Sequence, residues 1–267
     1  MNEFQSALDH VHTTLAGLRE QGVALRASAA ALARLAAPRT AAKPVPAPLP
    51  GPVVASAPGG SKAELLAALR GPVLACTLCP HLVKSRTQVV FGVGNPEAEV
   101  MFVGEAPGED EDLQGEPFVG QAGQLLTKII VAMGFSRADV YIANVLKCRP
   151  DLPAGESGNR KPKPAEMQTC LPYLRQQIDI IQPRALVALG ATAMAGLLGA
   201  VEPMAKLRGR WHDFHGIPLM ATYHPAYLLR NQSLTEKRKV WEDMLLVLER
   251  LEKTISEKQR GFFLSKG

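Results

Sequence analysis

Four cysteines stand at Cys76 and Cys79, then after 68 residues at Cys148, and after 21 more at Cys170. Two thiols on one loop and two from distant segments can close a tetrahedral site around zinc or hold an iron–sulfur cluster. A zinc ribbon would repeat the C-x2-C pair, which this chain does not, and Pro80 after the second cysteine is common in iron–sulfur segments. Spacing alone does not choose between the metals. A second constellation is Gly104-Glu105-Ala106-Pro107-Gly108, followed by Glu109 to Asp112 and then Gly115-Glu116-Pro117-Phe118-Val119-Gly120. Glycine and proline this dense force a tight loop whose backbone N–H groups can face a ligand ahead of a helix N-terminus. Six acidic residues between Glu105 and Glu116 oppose a simple phosphate cradle. Gly92-Val93-Gly94 lacks the third glycine of a dinucleotide fingerprint. A third constellation is His224-Pro225-Ala226-Tyr227-Leu228-Leu229-Arg230. A histidine there can donate a hydrogen bond to a developing anion, and Leu228, Leu229 and Arg230 suit a wedge between stacked bases. Lys147, Arg149, Arg160, Lys161 and Lys163 form one basic stretch, and Lys206, Arg208, Arg210 and Arg230 a second, either of which could neutralise phosphates.

These groups need a scaffold. β-rich runs at 88–94, 100–104, 140–145, 185–189 and 218–222 alternate with helical patterns at about 120–134, 164–181, 191–199 and 235–253. The expectation is an α/β fold of three layers, with a mainly parallel sheet of four strands, or five, between helices. Ligands of such sheets bind outside the carboxyl ends of the strands, where this sequence places Glu105 and Ala106, Asn144, and His224. Residues 61–255 should form the folded domain, with Ser61 capping its first helix. Ahead of it, residues 1–37 have the spacing of an amphipathic helix, able to bind a protein partner but more simply a loosely docked extension. Residues 38–60, rich in Ala and Pro, read as a disordered linker, and 256–267 as a tail.

The 267 residues are 46% hydrophobic and 21% charged, a globular balance that excludes fibrous and wholly disordered classes. The net charge of +5 permits a polyanionic partner without demanding one. No apolar run is long enough for a membrane span, and residues 1–20 carry no apolar signal core, so a reduced, cytoplasmic location is expected. The richness in Ala, Arg and Pro suits a GC-rich bacterial genome.

Taken together, GEAPGEDED, GEPFVGQAGQLL, YIANVLKCRP and HPAYLLRN resemble the motifs of the family-four uracil-DNA glycosylases, in the family's order and over about residues 64 to 252. The resemblance implies a monomeric repair enzyme that flips uracil from single- or double-stranded DNA, hydrolyses its N-glycosidic bond and so starts base excision repair. It also implies a four-iron, four-sulfur cluster on Cys76, Cys79, Cys148 and Cys170. Phe118 resembles the aromatic that stacks on the flipped base, Asn144 the amide that reads its polar edge, and His224 the donor to uracil O2. The best-known uracil-DNA glycosylases have an Asp where this chain has Ala106, so Glu105, or backbone groups around Ala106, would position the water. Glu111 is assigned to uracil C5, where it would exclude the methyl of thymine. Leu228, Leu229 and Arg230 would form the wedge, and Arg208 and Arg210 would meet phosphates. The segment after Arg149 (PDLPAGESGNRKP) is longer than usual for the family. Rival readings are a non-catalytic iron–sulfur DNA-binding module, a protein that traps uracil-DNA covalently, and a zinc phosphohydrolase. The first has no need of Phe118, Asn144 and His224 together. The second would carry a Lys/Arg-rich loop where Ala200 to Met204 stand, and the third lacks a His/Asp set near residues 105–116.

Overall fold

Two of the apolar runs, Val100–Gly104 and Ala185–Leu189, are buried at every position, the mark of strands covered on both faces. The computed structural model describes residues 60–153, 155–156 and 158–264. The expected extension at 1–37 and the linker at 38–60, Gly60 apart, lie outside the described residues. The first described helix, α1 (Lys62–Leu74), starts at Ser61, whose Oγ accepts from the Glu64 N–H while Glu64 Oε2 accepts from the Ser61 N–H. There follow α2 (Pro80–Ser85), β1 (Val93–Gly94), β2 (Val100–Gly104), α3 (Glu109–Gln114), α4 (Gln121–Ala132), β3 (Tyr141–Asn144), α5 (Pro164–Ile181), β4 (Ala185–Leu189) and α6 (Ala191–Leu198). The chain continues through α7 (Met204–Leu207), β5 (Trp211–Phe214), β6 (Ile217–Thr222), α8 (Pro225–Arg230), α9 (Leu234–Arg250) and α10 (Glu257–Arg260).

Among the described residues the sheet has six strands rather than four or five, in the order β1-β3-β2-β4-β6-β5. The inner four are parallel, and β1 and β5 run antiparallel at the edges. Of the run expected at 88–94, two residues pair. The unexpected β5 forms a hairpin with β6 through His215 and Gly216, both at positive φ (52° and 86°), as a type I′ turn requires. Alternation along the inner strands splits the core in two. Met101, Val103 and Leu186 face a layer with Leu69, Leu174 and Met194, whereas Phe102, Ile142 and Val187 face Leu126, Trp241 and Val247. Residues 256–264, read as a tail, are docked: Trp241 Nε1 donates to the Gln259 carbonyl at 2.6 Å, and the Phe262 ring lies 5.2 Å from that of Trp241. Among the described residues, no helix is long and apolar enough to cross a membrane.

Candidate active site

The carboxyl ends of the parallel strands meet at one edge. Gly104 ends β2 in register with Asn144, the end of β3, and Thr222 ends β6 two residues before His224. Beyond them opens a cleft of about 290 Å³ lined by Glu105, Ala106, Pro107, Gly108, Asn159, Arg160, Lys161, His224, Ala226 and Arg230. Asn144 is 2% exposed, and its Oδ1 is buried without a hydrogen-bond partner. An unsatisfied buried carbonyl costs about 1–3 kcal/mol, so its retention points to a donor brought by a ligand.

His224 caps α8. Its Nδ1 accepts from the Ala226 N–H at 3.2 Å, which leaves the ring proton on Nε2. Burial, and secondarily the Arg230 charge, lowers its pKa to about 4. The imidazole is therefore neutral at physiological pH and a hydrogen-bond donor through Nε2. The Phe118 ring lies 5.6 Å from it, tilted by 30°. Two glycines admit that ring. A Cβ on Gly104 would collide with both Asn144 Oδ1 and the Phe118 ring, and one on Gly123 would run into the Phe118 backbone. Phe118 itself sits at φ 56°, in the left-handed region that disfavours a side chain.

Glu111, expected against the base, is spent on backbone. Its Oε1 accepts from the N–H groups of Val119 and Gly120 at 2.9 and 3.0 Å, and its Oε2 from Gly108 at 3.0 Å. It ties the first motif loop to the Phe118 loop. Arg137, which no sequence pattern marked, donates to the carbonyls of Pro117 at 2.8 Å and Phe118 at 3.1 Å.

The expected DNA-facing set needs correction. Leu228 is 4% exposed, turned inward by the first turns of α8, and cannot act as a wedge. Leu229 and Arg230 keep access to solvent. Arg208 is bound into the molecule: its Nε and Nη2 donate to the fully buried Asp243 at 3.1 and 2.7 Å, and its guanidinium lies 5.8 Å from the Tyr223 ring. Arg210 is exposed. In the first basic stretch, Lys147 is buried, with Nζ on Gln177 Oε1. Arg160 is clamped to Asp151 and to Glu166, whose Oε1 also meets His81 Nε2 at 2.7 Å. Burial alone would raise the Glu166 carboxyl, but Arg160, the Lys163 N–H and His81 outweigh it and hold it at about 2. This clamp joins the segment after Cys79 to the Asn159–Lys161 wall of the cleft.

The four cysteines are unpaired; Cys148 and Cys170 are buried and Cys76 and Cys79 partly so. Burial first, and then the neighbouring cysteines, push Cys79 up to about 11; burial pushes Cys170 to about 12 against the lowering effect of the Lys147 charge and N–H. Arg86 donates to Cys148 Sγ at 3.0 Å and to the Cys76 carbonyl at 2.8 Å, while the Lys147 N–H meets Cys170 Sγ at 3.3 Å. Among the described residues, the one group of three or more His, Cys, Asp or Glu ligand atoms within 4.8 Å of one another is His81, Asp151 and Glu166, which Arg160 fills. Four thiolates are a donor set for either a tetrahedral zinc or an iron–sulfur cluster. The donor set fits a cluster.

The sequence model of the Uracil DNA glycosylase superfamily matches residues 91–245. The chain is 46% identical over 187 residues to a type-4 uracil-DNA glycosylase of Thermotoga maritima, covering 69% of this chain and 93% of that protein. Two Pyrobaculum aerophilum proteins separate the types. Identity to the type-4 uracil-DNA glycosylase is 44% over 167 residues, covering 60% of this chain and 82% of that protein. To the type-5 enzyme it is 31% over 186 residues, covering 57% and 79%.

Proposed function

The chain belongs to the uracil-DNA glycosylase superfamily, among its type-4 members, and from that premise we propose that it excises uracil from DNA by hydrolysis and leaves an abasic site. Asn144 carries this reading: its buried, unpartnered Oδ1 beside the Phe118 ring is complementary to the N3–H of a uracil stacked on that ring. A paired base cannot reach such a site, so the nucleotide must first be flipped out, at a cost of a few kcal/mol. Leu229 and Arg230 are the side chains on the α8 loop available to fill the gap, and Arg210 and Lys161 to meet phosphates.

As the C1′–N1 bond breaks, its electron pair moves onto uracil, and negative charge grows at O2. Neutral His224 donates from Nε2 to that oxygen, a hydrogen bond that strengthens as the transition state forms. A water then bonds to C1′, and the proton it loses neutralises the departed uracil anion. Glu105, in the wall of the cleft beside Ala106, is the carboxylate assigned to hold that water. Cys76, Cys79, Cys148 and Cys170 would hold a four-iron, four-sulfur cluster, which would supply a cross-link between distant segments. The enzyme is assigned to the cytoplasm as a monomer acting on the chromosome at the start of base excision repair.

Release of free base tests the proposal. Single- and double-stranded oligonucleotides with one uracil should each release uracil and become alkali-labile at that position, while thymine controls stay intact. Oligonucleotide binding without uracil release, by protein carrying its iron, would overturn it.

A further inference from the structure

We propose that Arg137 is a positioning residue for the base stack, its guanidinium holding Phe118 in the conformation that places the ring beside Asn144 and His224. The inference rests on reading Phe118 as the residue that stacks on uracil. Phe118 occupies a left-handed conformation, φ 56°, which costs a non-glycine residue about 1 kcal/mol or more and persists only where surrounding groups enforce it. Glu111 fixes the next two N–H groups, those of Val119 and Gly120, and Arg137 fixes the carbonyls of Pro117 and Phe118. The peptide units on either side of Phe118 are thus both held. Arg137 Nη1 also meets Thr127 Oγ1 at 3.3 Å, anchoring the fork to α4. No ion pair within 4.0 Å of Arg137 occurs among the described residues; the side chain is half-buried, and burial lowers its pKa against the opposing charges of Glu116 and Glu111. A desolvated cation that spends its donors on two consecutive carbonyls is a costly way to support a loop, and a rigid planar fork suits that task better than a lysine.

A double-mutant cycle separates positioning from general support. Single-turnover excision from a single-stranded uracil oligonucleotide would be measured for the wild type, Phe118→Ala, Arg137→Gln, Arg137→Lys and the Phe118→Ala/Arg137→Gln pair. Thermal midpoints and affinity for an abasic-site oligonucleotide would be read in parallel. Arg137→Gln should slow excision roughly tenfold to a hundredfold, leave abasic-site affinity within about twofold, and add nothing to the loss in Phe118→Ala. Arg137→Lys should recover part of the rate. A wild-type rate for Arg137→Gln beside a slow Phe118→Ala, or fully multiplicative losses in the pair, would overturn the proposal while leaving the stack reading intact. A wild-type rate for Phe118→Ala would overturn both. If Arg137→Gln does not fold, the same cycle run with Arg137→Lys decides by the same non-additivity.

Discussion

An ordinary histidine titrates near 6.5 and would be half charged close to neutrality. His224 is held neutral down to about 4 by burial and Arg230, and its Nδ1 is engaged by the Ala226 N–H. Because the folded pKa is depressed, the neutral form persists through the whole range above about 4; as pH falls through that value Nδ1 gains a proton and loses the Ala226 contact, while Nε2 remains a donor. Single-turnover excision by the wild type should therefore show no inflection near 6.5 between pH 5 and 8. A second expectation concerns Glu111, whose carboxylate is occupied by three backbone donors. Glu111→Gly should slow uracil excision about tenfold or more by releasing the Phe118 loop, with no gain of thymine excision in the same assay. Asn144 and His224 could be placed in the sequence at strand ends, and Phe118 only through the resemblance of its motif; the structure brings the three together. Arg137 and the Arg160–Glu166–His81 clamp were not legible there, since contacts between residues distant in sequence leave no periodic trace. Leu228 was misread because the handedness of a two-turn helix decides which leucine faces inward.

At the level of elements, the parallel strands could be read from unbroken apolar runs such as ALVAL, and α4, α5 and α9 from their helical spacing. The edge strands were harder. β1 is two residues long, and β5 carries the mixed sequence WHDF, so neither shows a clean pattern, although the His215-Gly216 turn was a usable hairpin signal. Close approach of elements sets the site as much as its polar groups do. In Gly104→Ala the new methyl would displace both Asn144 Oδ1 and the Phe118 ring. The variant should keep the wild type's visible absorbance and circular dichroism, yet excise about a hundredfold more slowly. The Glu166 clamp acts on a loop instead. Glu166→Gln weakens the hold on Arg160 and His81, so amides of residues 151–163 should exchange faster with deuterium while those of β2 and β4 do not change.

For the molecule as a whole, the cysteines of the segment before α2, the stretch after β3 and the first half of α5 lie in one apolar layer. If they hold a cluster, purified protein should contain about four irons per chain, and Cys148→Ser should lose iron and melt at a lower temperature than the wild type. In the proposed reaction, a neutral histidine two residues beyond β6 drives departure of uracil from a pocket formed by Phe118 and Asn144. The most direct measurement is single-turnover excision by iron-loaded wild type and His224→Ala on one uracil-containing duplex, with its thymine counterpart as control. The account predicts cleavage at uracil alone and a loss of about a hundredfold to a thousandfold in the variant, with duplex affinity retained. Equal rates for the two proteins would contradict it.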